Sequence, residues 1–196
     1  MNVPTQSGSR HVWTALLAVS TAALSWTWMM VVHEFGHVLH AWTSGGMVLK
    51  VVLHPLTISR TDVSPNPQPL FVVWGGPIWG CLLPALAWLL ARRRRHAHLF
   101  AFFAGFCLIA NGSYLGAGAV APVGDAEMLR RLGTPAWALL AFGMVTIPAG
   151  LRLWSGLGRD FGIGPNAPAP GPRTALVVTT LAAATIGLEL LLSEPL

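Results

Sequence analysis

Apolar residues occur along this chain in long unbroken runs, with no alternation and no one-face stripe. The runs cover about residues 12–42, 69–91, 98–119, 135–154 and 174–192. Each matches or exceeds the roughly 20 residues a helix needs to cross a hydrocarbon core. The pattern predicts five membrane-spanning helices joined by short loops. Composition agrees: 54% of the 196 residues are hydrophobic and only 10% charged, too few for the charged shell of a soluble domain. The expected fold class is an all-α polytopic membrane protein, one integral domain over residues 1–196.

The first run, 31 residues long, ends in polar chemistry and not in a small-residue cleavage site, so it reads as a retained helix and not a signal peptide. As a helix it would extend about 46 Å against a core of roughly 30 Å, so it must tilt, protrude or break near residues 33–37.

Between the first two runs, "MVLKVVLHPLTISRTDV" is rich in β-branched residues, interrupted by Pro55 and preceded by Gly45 and Gly46. It reads either as a short β-hairpin at 47–60 or as a surface loop. Segment 155–173 is rich in Gly and Pro and reads as an irregular connector.

The formal charge of +5 comes from eleven arginines and one lysine, clustered in loops such as "RRRRHAH" at 92–98. No aromatic-interleaved basic face suits nucleic acid, so none is expected as a partner. The arginines instead orient the spans and meet anionic headgroups of the lipid bilayer. Eight of the twelve cationic residues fall on the face holding the amino terminus, which the positive-inside rule puts in the cytoplasm. Arginine preference and alanine richness suggest a bacterial genome, hence a cell-membrane location. Cys81 and Cys107 sit in separate spans without a CxxC pattern and read as small packing residues.

One stretch breaks the apolar pattern: "VVHEFGHVLH", residues 31–40, places a carboxylate and three imidazoles near the end of the first span. In a helix His33 and His37 lie one turn apart on one face, as two ligands of a tetrahedral Zn2+ must. Glu34, about 100° around the helix, can reach a reacting water without ligating the ion. Chance would produce this HExxH spacing roughly 0.005 times in such a composition. His40 shares the face but stands about 10.5 Å from His33 along the axis, so it reads as a packing or supporting residue.

A third ligand must come from elsewhere, and Asp62, Asp125, Glu127 and His54 are the candidates. Counting spans brings the loop after the third helix to the same face as residues 33–37, which favours Asp125. Asp125 followed by "AEMLRRLG" is equally a helix N-cap pattern. Gly76 and Gly80 form a small-xxx-small face suited to close helix approach.

With His33, Glu34 and His37 in a hydrophobic helix, "GGPIWG" at 75–80 in the next, and "PVGDA" at 122–126, the sequence resembles the site-2 protease family of M50-class intramembrane zinc metalloproteases. The resemblance spans about residues 20–132, the family's three-helix core, with 135–154 and 174–192 as additional helices. It implies zinc held by His33, His37 and Asp125, Glu34 as the catalytic base, and peptide-bond hydrolysis in or near transmembrane segments of membrane-bound regulators, single-span proteins being the expected substrates. It also implies a metal site open to the cytosol, the opposite orientation from the arginine count. The second motif departs from the family pattern: Asp125 is flanked by Gly124 and Ala126, and Ala117 stands where the family carries an asparagine. The nearest is Asn111, to which the resemblance assigns a substrate-binding part. The alternatives are a non-catalytic metal- or haem-binding membrane protein, or an inactive protease-like scaffold.

Overall fold

The computed structural model describes residues 5–192. Helix α1 runs Thr5–Thr43, followed by strands β1 (Val48–Val52) and β2 (Arg60–Val63), then α2 (Pro69–Ala91), α3 (Ala97–Gly118) and α4 (Gly124–Arg131). Helix α5 (Ala136–Trp154), a 3-10 turn (Leu157–Phe161) and α6 (Pro172–Leu192) complete the order. Five helices are long and apolar enough to cross a membrane, at Ser9–Thr43, Pro69–Ala91, Ala97–Gly118, Ala136–Trp154 and Pro172–Leu192. These are the five expected runs, each within three residues at its ends. The fold is an all-α polytopic one with a single small sheet.

Helix α1 is unbroken through residues 33–37, so of the three ways to fit a long first run, a break is the one it does not take. At 39 residues it extends about 58 Å. Gly45, at φ 79°, ends it in the left-handed conformation, and the Gly46 amide bonds the Ala41 carbonyl at 2.8 Å.

The segment after α1 is a hairpin. β1 and β2 are antiparallel, with Val51 opposite Thr61, Val52 opposite Arg60 and an irregularity between Val48 and Lys50. The expected 47–60 boundary is too short at its far end, because β2 begins at Arg60 and runs to Val63. The Trp26 indole fastens the hairpin's loop to α1 by donating to the Pro55 carbonyl at 2.8 Å.

Helices α3 and α5 approach along glycines spaced seven apart: a Cβ at Gly143 would fall 2.8 Å from the Gly112 carbonyl oxygen, and one at Gly150 2.7 Å from that of Gly105. Between apolar helices in lipid, such bare surfaces let backbones meet and dispersion hold them. A cluster of Leu115, Ala126, Leu129 and Leu139 seats the short helix α4 against α3 and α5. That anchorage fixes where Asp125 starts.

Candidate metal centre

Helical spacing puts His33, Glu34 and His37 on neighbouring faces of α1, all buried. What the structure adds is the aim of each ring. Asn111 Nδ2 donates to the Cys107 carbonyl at 2.9 Å, so its Oδ1 is the acceptor that faces His33 Nδ1 at 2.6 Å. His37 Nδ1 lies 2.9 Å from the Val72 carbonyl, which can only accept. Both rings therefore carry a proton on Nδ1, and both turn Nε2 toward a common point. Metal-ligating histidines are held in this way, the distal N–H fixing tautomer and orientation.

The acceptor for His37 owes its place to α2. In its first turn, the Phe71 and Val72 carbonyls receive His40 Nδ1 at 2.6 Å and His37 Nδ1 at 2.9 Å. His40 also stacks on Phe71, with ring centroids 3.9 Å apart, and accepts the Trp79 indole at 3.1 Å. It packs α1 against α2 and is no ligand. His54 accepts from the Leu56 amide and likewise lies outside the group.

Asp125 completes the group. Val123 is the N-cap of α4, without a side-chain bond, so Asp125 sits in the first turn and does not cap the helix. Gly124 enters that turn at φ 54°, and a Cβ there would strike the Tyr114 hydroxyl. The hydroxyl accepts the Asp125 amide at 2.9 Å and so pins the backbone of the acidic residue. Burial opposes ionisation of the Asp125 carboxyl, but hydrogen bonds to His33 and His37, with their charge, hold it well below the usual carboxylate range.

The fit to a metal can be judged from three distances. Asp125 Oδ2 lies 2.8 Å from His33 Nε2 and 3.3 Å from His37 Nε2, and the two Nε2 atoms are 3.2 Å apart. A tetrahedral zinc with bonds of about 2.0–2.1 Å keeps its ligand atoms roughly 3.3 Å apart. Lone-pair atoms gather this closely only around a shared cation, whether proton or metal. Among the described residues this is the one set of three or more His, Cys, Asp or Glu side chains placed to hold an ion. Asp62, Glu127 and His54 are not in it. The donor set and its spacing fit zinc.

Gly76 leaves room for that ion. A Cβ at this position would lie 2.6 Å from His33 Nε2 and closer still to His37 Nε2. The close helix approach read into Gly76 and Gly80 belongs instead to Gly75, whose added Cβ would fall 2.9 Å from the Gly36 carbonyl carbon. Gly80 faces the Asn111 amide.

A sequence profile of the Peptidase M50B-like family matches residues 10–114, more than half of the chain. The chain belongs to the Peptidase M50B-like family. The M50B-like match includes His33, Glu34, His37 and Asn111 and stops before Asp125, whose membership of the group rests on geometry alone. No curated protein and no solved structure matches the chain. As an M50B-like protein with five such helices, it is a multi-pass membrane protein.

Two features of this M50B-like site were not legible beforehand. A cavity of about 1050 Å³ opens beside the metal-binding group, lined by Met29 and Met30 of α1, Val72 of α2, Tyr114 of α3 and Leu49 and Ile58 of the hairpin region. Within it the Ser59 hydroxyl donates to Glu34 Oε1 and the Thr61 hydroxyl to Oε2, each at 2.6 Å. Nothing in the sequence pairs a carboxylate with hydroxyls 25 and 27 residues further on. Asn111 also borders the cavity, but both ends of its amide are engaged, by His33 and by Cys107.

Proposed function

We propose that this protein is an intramembrane zinc metalloprotease that hydrolyses peptide bonds in or near transmembrane segments of membrane-bound proteins. Single-span regulators are the substrate class this reading favours. The observation that carries it is the convergence of His33 Nε2, His37 Nε2 and Asp125 Oδ2 at tetrahedral spacing, with the carboxylate of Glu34 on the same helix and facing the same cavity.

Bound there, zinc supplies Lewis acidity that polarises the scissile carbonyl and makes water reactive near neutral pH. The chain's own groups do the rest. Glu34 takes a proton from the attacking water as the C–O bond forms, then delivers it to the amine nitrogen as the C–N bond breaks. Asn111 and the Val72 carbonyl keep the histidine rings from turning, which makes Asn111 a holder of His33. The presence of the Glu34 carboxylate beside an intact histidine pair favours a working peptidase over an inactive scaffold.

Purified protein loaded with zinc is expected to cleave a membrane-anchored peptide, to stop when the metal is chelated, and to recover when zinc is returned. Cleavage that survives complete metal removal would count against the assignment.

A substrate helix hides its carbonyls in its own hydrogen bonds, so the segment to be cut must unwind and find new partners within the membrane. The hairpin beside the cavity offers them by strand addition. Leu49 tests this best, because it sits at the irregularity between Val48 and Lys50, where proline is tolerated in a sheet. Leu49→Pro is expected to slow cleavage while leaving zinc content intact. Unchanged turnover removes the hairpin from substrate binding.

A further inference from the structure

Metal binding by two histidines and an aspartate places no demand on the hairpin, yet the hairpin holds the base. Glu34 is 2% exposed, and its two oxygens take one hydroxyl each at 2.6 Å. Thr61 lies within β2 and Ser59 immediately precedes it, and their hydroxyls reach the same carboxylate on α1. Arg60 and Asp62 have side chains 65% and 45% exposed. Thr61 is held in register by Val51. Two turns of α1 before Glu34, Trp26 grips the loop through the Pro55 carbonyl. The hairpin is thus fastened to α1 at two points, and the second is the side chain expected to move protons.

We propose that Ser59 and Thr61 are positioning residues for Glu34, so that the base is aimed at the metal-binding group only while the hairpin is seated. This rests on the peptidase reading above. An ionised carboxylate has about four lone-pair directions, and two hydroxyl bonds fix its plane while leaving the others for a water. A buried carboxylate without such partners would swing to find others. The same hairpin borders the cavity that a substrate strand would enter, so the occupant of the cavity and the aim of the base are linked through two hydroxyls.

The test uses zinc-loaded full chain and compares Ser59→Ala/Thr61→Val with the hydroxyl-conserving Ser59→Thr/Thr61→Ser. Loss of both hydroxyls is expected to lower kcat about 10–100-fold, the usual consequence of removing a supporting shell, with zinc content unchanged. The conserving pair is expected to recover most of the rate, and each single hydroxyl deletion to fall between. A second measurement does not depend on turnover. Amide hydrogen exchange over residues 48–63 is expected to accelerate in the double deletion and to a similar extent in Glu34→Ala, with no further gain when the three are combined, because one tie is cut in each case. Exchange unaffected by either change, or a kcat unaffected by the double deletion in an active enzyme, overturns the proposal. If wild-type protein cleaves nothing, the peptidase reading fails by itself, and the exchange arm still decides whether the tie exists.

Discussion

Glu34→Gln is expected to keep zinc at the wild-type level and to lower peptide cleavage about 10²–10⁴-fold, the range general acid–base groups contribute. Glutamine has the same shape as glutamate and fills the same buried place against β2. Its amide oxygen can still accept one hydroxyl. The other hydroxyl can rotate and accept from the new NH2, since Ser and Thr both donate and accept. The hairpin therefore stays seated in this variant, unlike in Glu34→Ala. What disappears is the capacity to take a proton. Because both Glu34 oxygens face Ser59 and Thr61, and the group placed to hold an ion is His33, His37 and Asp125, metal content is expected not to depend on position 34. Metal analysis and a cleavage assay on the same preparation check both halves. Zinc lost together with activity would make Glu34 a ligand; cleavage equal to wild type would place the base elsewhere.

How far this site was legible in the sequence depends on the length scale of each feature. The five helices were readable because bilayer thickness translates directly into run length, and His33, Glu34 and His37 because helix geometry makes four-residue spacing a statement about direction. Asp125 followed from topology: the two spans α2 and α3 separate the loop after α1 from the loop after α3 and so return both to one face, and the structure places Asp125 Oδ2 2.8 Å from His33 Nε2.

The remainder depended on contacts between distant segments. Nothing local distinguishes Ser59 and Thr61 from other loop hydroxyls, and the acceptor that aims His37 is a main-chain carbonyl without a side-chain signature. Tyr114 reads as an ordinary aromatic residue of a span until Gly124 is seen to turn beneath its hydroxyl. The glycines at 105, 112, 143 and 150 carry a seven-residue repeat that is visible in the chain, but only their packing identifies them as the seam between α3 and α5. In the same way Gly76 and Gly80 read as one small-residue face for close helix approach, whereas it is Gly75, about 100° around the helix from Gly76, that makes that approach. Gly75 meets the backbone of α1, and Gly76 meets the imidazoles.

That division makes Gly76→Ala the single-methyl change aimed most directly at the ligand atoms. The new Cβ would stand 2.6 Å from His33 Nε2 and 2.6 Å from His37 Cε1, far inside any real carbon contact. Relief by moving α2 outward pulls apart the close backbone contact of Gly36 and Gly75 and the bond from His40 to the Phe71 carbonyl, and carries the Val72 carbonyl away from His37. Relief by turning the rings breaks the bonds from Nδ1 to Asn111 and Val72 and carries Nε2 off the common point. Either way the ligand triangle is lost. Gly76→Ala is expected to lower zinc affinity by more than the 10–100-fold typical of a supporting residue, and to abolish cleavage. Gly80→Ala places its Cβ 3.0 Å from the Asn111 amide, so it disturbs His33 only at second hand and is expected to cost less. Gly187→Ala meets nothing within 4 Å on α6 and controls for loss of glycine itself. Zinc titration across the three variants should therefore rank 76 below 80 below 187. A Gly76→Ala protein that binds zinc as wild type does would mean that the two imidazoles do not converge where α1 and α2 bring them.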